Sequence, residues 1–249
     1  MTLQITWYDN AAFRVADGPE IYWFDPSVNK NADSPIRVDD IQESAKFVFT
    51  THGDPGHFVN SMEITKKTGA RFVGSQDLCD FILQKDLLPE ERCIALEFGK
   101  TKRIDGLDVY LFEAQHPELT PELREVIRKW GGVETRNGGL VIIGRGFSLC
   151  LLGDCIHSDV FQEVGRMFSI DIGMIPIQGK KHVDSSPEEA AENGAAIVRD
   201  LKLKVLFPVI QYTKEQVRLG PLKAKLQAMN LKTRLIFDRP GTVHTLSDQ

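Results

Sequence analysis

The chain has 249 residues, 42% hydrophobic and 26% charged, with a formal net charge of -5. That length and apolar content argue against disorder and suit one globular domain, 1–249, with enough core to fold without disulfides. Net acidity without a Lys/Arg block argues against a general phosphate-backbone binder, so no nucleic acid partner is expected.

No apolar stretch approaches the ~18 residues of a membrane helix, and Met1 to Trp7 carry neither a basic flank nor an apolar signal core. A cytoplasmic protein without a membrane partner is therefore expected. Cys79, Cys93, Cys150 and Cys155 lack C-x-x-C spacing and read as free thiols.

In chain order, short apolar or alternating runs at 3–8, 11–15 and 21–24 are separated by Asp9-Asn10 and Asp17-Gly18-Pro19, the pattern of an antiparallel meander. A βα rhythm follows: strand 46–50, a helix over about 58–67, strand 71–73 and a helix opening near Ser75. Strands return at 107–114, 139–143 and 147–152, the last two joined by the turn Gly144-Arg145-Gly146. The last third alternates strand 170–177, a helix from Pro187, strand 205–209, a short helix from Pro221 and strand 233–237. Ser186-Pro187-Glu188-Glu189 is a helix start with the makings of a capping box. Strands followed by βα units, written twice, predict an α/β fold: two sheets face to face with helices outside both, a four-layer αββα sandwich.

The chemistry concentrates in Thr51-His52-Gly53-Asp54-Pro55-Gly56-His57, directly after the apolar run 46–50. In extended chain, side chains two apart leave the same face, and Gly53 and Gly56 would let the backbone curl so that His57 turns back toward His52 and Asp54. One turn then supplies three metal ligands. Two further candidates stand at strand ends: His116 after Val109 to Ala114, and Asp154 after Leu151-Leu152-Gly153. Imidazole and carboxylate are the usual protein ligands of Zn, Mn or Fe, and a catalytic site leaves one position open for water. His157 and His244 have no comparable partners and read as structural or solvated.

In order along the chain, Phe24-Asp25-Pro26, Thr51 to His57, Ala114-Gln115-His116, Asn137-Gly138-Gly139, Leu152-Gly153-Asp154, Ile175-Pro176-Ile177 and Phe207-Pro208 resemble the landmarks of the metallo-β-lactamase-fold hydrolases. The branch they are most similar to contains the L-ascorbate-6-phosphate lactonase and related metal-dependent hydrolases. The resemblance covers essentially the whole chain and implies the same αββα sandwich. It implies a first metal site of His52, His116 and Asp54, the last standing where most members have His, and Asp154 bridging to a second site. The second site would retain His57. Gly56, however, stands at the family's Asp position and Gln211 at its last His. A glycine offers no ligand and an amide oxygen coordinates weakly, so one metal per chain is expected, Zn or Mn with Fe also suited to a cage containing two carboxylates.

The function this resemblance implies is hydrolysis of a small anionic ester, lactone or phosphodiester by metal-activated water. With no carboxylate at Gly56, the proton acceptor would be Asp54, Asp154 or Asp9. Asp9-Asn10 lies where the family has a Gly-His pair near the cleft, and Asn10 is a candidate substrate contact; a plain Asx turn explains both equally. Asp25 resembles the family's carboxylate that orders the ligand loop. Lys180, Lys181 and His182 would grip an anionic substrate, or else form a solvated charge cluster. Lactonase-like relatives suggest a homo-oligomer. The alternative is a former hydrolase retained as a ligand- or partner-binding module, because two second-site positions are altered.

Overall fold

The computed structural model describes residues 2–29, 32–181, 185–210 and 216–247, with the backbone alone for 216–218. One seven-stranded sheet contains β1 (Thr2–Trp7), β2 (Phe13–Asp17), β3 (Glu20–Phe24), β4 (Phe47–Phe49), β5 (Arg71–Ser75), β6 (Cys93–Leu96) and β14 (Val243–Ser247), in the order β14-β1-β2-β3-β4-β5-β6. The second contains β7 (Lys100–Ile104), β8 (Leu107–Glu113), β9 (Gly138–Gly144), β10 (Phe147–Leu152), β11 (Ile172–Pro176), β12 (Val205–Val209) and β13 (Arg234–Leu235), in the order β13-β12-β11-β10-β9-β8-β7. Seven α-helices accompany them among the described residues: α1 (Pro55–Phe58), α2 (Ser61–Thr68), α3 (Gln76–Gln84), α4 (Pro121–Lys129), α5 (Val160–Met167), α6 (Pro187–Leu201) and α7 (Gln216–Ala228).

The two sheets share a core of facing apolar side chains, among them Phe13, Phe24, Phe49, Leu111, Leu149, Met174 and Phe207. A second apolar layer lies under α5, α6 and α7, built on Val141, Cys150, Leu152 and Ile175 from the other face of their sheet. Trp23, Val48 and Ile64 cover the outer face of the first sheet beneath α2. Sheets buried on both faces explain why β4 and β10 are buried at every position, with only Ser148 polar among them, rather than alternating. This is the expected four-layer αββα sandwich.

Several elements differ from the sequence reading. The helix expected over 58–67 is two, because α1 ends at Phe58 and α2 starts at Ser61. The helix expected from Pro221 begins at Gln216, with Pro221 inside it. β6, β7 and β14 are short or polar, and α4 and α5, although amphipathic, span only nine and eight residues, so none of the five was read in advance. β7 (Lys-Thr-Lys-Arg-Ile) is a sheet edge exposed over its first four residues, where charge suits an unpaired rim. Ser186 caps α6, accepting from Glu189 N at 3.1 Å, but Glu189 turns its carboxylate to Lys180 N at 2.9 Å rather than closing a capping box.

The pairing senses fix where chemistry can gather. β1 runs antiparallel to β2 and β2 to β3, while β3, β4 and β5 are parallel. In the other sheet, β8 and β10 flank β9 antiparallel, and β10, β11 and β12 are parallel. The carboxyl ends of β1, β3 and β4 therefore share one edge of their sheet, and those of β8, β10, β11 and β12 share one edge of theirs. All four cysteines are free, and burial pushes the Cys155 thiol well above its ordinary value, which makes it a poor nucleophile.

Candidate metal centre

Past β4, Thr51 and His52 leave the strand and Asp54 becomes the N-cap of α1, with Pro55 in the first turn. The Asp54 side chain makes no capping hydrogen bond, so its carboxylate is available elsewhere. His57 lies one turn on, its N–H donating to Asp54 O at 2.9 Å. The expected curl is thus supplied by helix α1, and neither Gly53 nor Gly56 has a positive φ. Gly53 is small for another reason: a Cβ there would stand 2.2 Å from Val133 O. Gly53 N donates to Thr135 Oγ1 and its carbonyl accepts from Val133 N, both at 2.9 Å. The segment after α4 is thereby clamped onto the ligand loop.

His52, Asp54, His116 and Asp154 converge, each with a ligand-capable atom within 4.8 Å of the others. His52 Nε2 and His116 Nε2 lie 3.7 and 3.6 Å from Asp54 Oδ2, and His116 Nε2 lies 4.0 Å from Asp154 Oδ2. These separations are long for hydrogen bonds. They resemble the spacing, about 3.4 Å, of two atoms bonded tetrahedrally to one cation at roughly 2.1 Å.

The hydrogen bonds around the rings say which nitrogen is offered. Asp25 accepts from Thr51 N at 2.8 Å and from Thr51 Oγ1 at 2.7 Å. The hydroxyl proton is thus committed, so the 3.0 Å contact of Thr51 Oγ1 with His52 Nδ1 has the ring donating. His116 Nδ1 likewise donates to Pro117 O at 2.7 Å. In their neutral forms both imidazoles turn an Nε2 lone pair toward the two carboxylates. Buried His52 Nε2 has no hydrogen-bond partner among the described residues. Lone pairs facing carboxylates repel one another, and a divalent cation removes that repulsion. The donor set fits a metal.

Charge perturbations follow the same geometry. Burial and the neighbouring His57 hold His52 below its ordinary pKa, favouring the neutral ligand form. Burial favours the neutral acid of Asp54, but His116 and His52 outweigh it and hold the carboxyl well below the usual range. Burial opposes protonation of His57, yet Asp25 and Asp154 raise it well above its ordinary value.

His57 stands beside the four-residue group rather than within it. Its Nδ1 donates to Asp25 Oδ2 at 2.8 Å and its Nε2 lies 3.5 Å from Asp154 Oδ1. Asp25 is fully buried at φ +42, so a non-glycine residue is held in the left-handed region directly behind the ligand loop. Asp9 is buried in a turn at φ +84, its carbonyl accepting from Ala12 N, and it is not one of the clustered groups. Asn10 bridges to Ile210, and its Nδ2 lies 3.2 Å from where a Cβ on Gly56 would be. Lys180 and Lys181 are exposed, and the bridge from Glu118 to Lys181 sets their loop beside the His116 loop. Gln211 and His182 lie outside the described residues. Of the histidines read as structural, His157 Nε2 pairs with Asp200 at 2.6 Å and His244 Nε2 lies 3.5 Å from Asp238.

Two residues that sequence reasoning did not single out support the acids. With its amide turned to satisfy both ends, Gln178 donates to Asp154 Oδ1 at 3.2 Å and accepts from Cys155 N at 2.7 Å. Thr51 carries the link from Asp25 to His52. Gln178 had one available signal, a polar side chain directly after a buried strand adjacent to that of Asp154. Asn137, quoted only as a landmark, ties the two strand ends by donating to Ala114 O and Asp154 O.

A Beta-lactamase superfamily domain profile matches residues 4–210, and the chain belongs to that family. The chain is 27% identical to a UPF0173 metal-dependent hydrolase of Pyrobaculum arsenaticum, over 97% of its own length and 99% of the relative's. It is 25% identical to one of Hyperthermus butylicus, with 96% and 98% covered. Among solved structures, a metallo hydrolase from the archaeon Ignicoccus hospitalis superposes with a TM-score of 0.80 at 20% identity, covering 100% of both chains. That likeness is one of fold, and the fold is the metallo-β-lactamase αββα sandwich.

Proposed function

We propose that the chain is a metal-dependent hydrolase of the lactonase-like branch, cleaving a small anionic ester, lactone or phosphodiester at a mononuclear site. The observation that carries this reading is the convergence of His52, Asp54, His116 and Asp154, with a buried His52 Nε2 lacking a hydrogen-bond partner among the described residues. Relatives of similar length whose names call them metal-dependent hydrolases support it. A single metal is favoured because Gly56 offers no ligand, and a side chain there would meet Asn10 Nδ2 3.2 Å from its Cβ. Two imidazoles with two carboxylates suit Zn or Mn, and Fe less specifically. Cytoplasmic location and a homo-oligomer remain part of the proposal.

A divalent cation in this cage would lower the pKa of a bound water toward ~7 and polarise a substrate oxygen. The chain's own groups do the rest. Asp54 stays ionised and, with the two Nε2 atoms, holds the charge balance of the cage. Asp154, steadied by Gln178, accepts the proton at Oδ1, and the His57 ring, its Nε2 3.5 Å from that oxygen and its Nδ1 held by Asp25, keeps the carboxylate in place. The exposed Lys180 and Lys181, beside the His116 loop, supply positive charge for an anionic substrate.

The test is hydrolysis of a γ-lactone, an aryl phosphodiester and an aryl ester by protein loaded with Mn or Zn, compared with Asp154→Asn. The reading expects metal-dependent turnover that falls about 10²-fold or more in the variant. Full metal loading with no hydrolysis of any probe would favour a binding module instead.

A further inference from the structure

A cavity of about 440 Å³ opens at the end of the sandwich opposite the metal cluster, at the amino-terminal ends of β11 and β12. The cluster lies past the carboxyl ends of neighbouring strands, so about five residues of strand, roughly 16 Å, separate the two places. The volume is in the range of small-molecule sites.

Its floor is apolar: Leu3, Phe147 and Ile172 line it, each nearly buried. Its wall is cationic, formed by Lys204, Lys232 and Arg234. Local structure gathers these charges. Thr233 Oγ1 donates to Leu203 O at 2.7 Å, turning that side chain to the protein, while its neighbours Lys232 and Arg234 both line the cavity. Arg234 N donates to Lys204 O at 2.8 Å, which fixes β13 against the start of β12. The acid of the wall, Asp171, is already engaged by Lys204 Nζ at 2.7 Å and Ser148 Oγ at 3.0 Å. Lys232 and Arg234 form no ion pair among the described residues. In a chain of net charge -5, two cations over an apolar floor with no ion pair among the described residues form a local exception.

We infer that this cavity is a second ligand site, taking an amphipathic anion: a phosphate or carboxylate headgroup on an apolar chain. Arg234 offers a planar fork to the headgroup, Lys232 adds point charge, and Leu3, Phe147 and Ile172 receive the chain. Nothing in this assignment depends on metal or hydrolysis at the other end.

Calorimetric titration of the full chain with octyl phosphate, octanoate, inorganic phosphate and octyl glucoside tests it. The expected result is one octyl phosphate or octanoate per chain, weakening with salt. Binding should be at least tenfold weaker in Lys232→Gln/Arg234→Gln, whose exposed positions leave thermal melting unchanged, and unaltered in His52→Ala. Equal affinity in the double variant, equal affinity for octyl glucoside or inorganic phosphate, or loss of binding in His52→Ala would overturn the assignment. The His52→Ala arm also separates failure here from failure of the hydrolase reading.

Discussion

The Thr51 hydroxyl donates to Asp25 Oδ2 at 2.7 Å, and that one bond determines how His52 presents itself to the metal cluster. Because the proton is committed, His52 must donate through Nδ1 and offer Nε2. Asp25 also holds His57 Nδ1, so one buried carboxylate aligns two of the imidazoles.

Asp25→Asn tests this alignment. Asn tolerates the left-handed backbone at φ +42, so the chain should fold, with a loss of about 1–3 kcal/mol from weakened buried hydrogen bonds. Metal affinity should drop roughly 10–100-fold, as for other residues that orient ligands. Competition with a chromogenic chelator gives the affinity, and an unchanged value would show that Asp25 does not orient the ligands.

Binding at the cluster should stabilise the fold by linkage. At free metal a hundred times the dissociation constant the gain is about 2.7 kcal/mol, seen as a rise in Tm. His52→Ala and Asp54→Ala should abolish that rise, whereas Lys180→Ala, outside the cluster, should keep it. Scanning calorimetry with and without Mn or Zn reads this directly.

Gly53→Ala should be destabilising by about 1–3 kcal/mol through overpacking, because its Cβ would meet the backbone oxygen of Val133 at 2.2 Å. Gly165→Ala, facing Asp200 O at 2.0 Å, should behave alike while leaving metal affinity intact. Urea denaturation compares the two, and only the Gly53 variant should also weaken metal binding.

These glycines mark what the sequence could and could not convey. The strand-loop-ligand pattern from Phe47 to His57 and the strand-end positions of His116 and Asp154 were legible, because apolar runs ending in polar ligands have a local signature. The reason for Gly53 was not, since Val133 approaches it from 80 residues away through a segment with no apolar rhythm. β7 and α4 were missed because their charged faces are exposed, and Gln178 because its partner Asp154 is supplied by a different strand.

Asp200 offers a pH test away from the metal. Burial favours its neutral acid, but Arg199 and His157, both at 2.6 Å, outweigh this and lower its pKa below the ordinary 3.8. A carboxylate lowered in the folded state contributes stability at pH above its unfolded value, and that contribution is lost as pH falls through the folded one. Acid unfolding below about pH 4 should therefore be shallower in Asp200→Asn, whose stability at pH 7 starts lower. Parallel urea midpoints across pH 2–7 would show it; identical slopes would remove Asp200 from the acid response.

The most direct measurement is an anomalous difference map from crystals grown with Mn or Zn and without chelator. A single strong peak about 2.0–2.3 Å from His52 Nε2, His116 Nε2 and carboxylate oxygens of Asp54 and Asp154 is the expected result. A peak held by other residues, or none at saturating metal, would contradict the assignment of these four side chains as one metal cage.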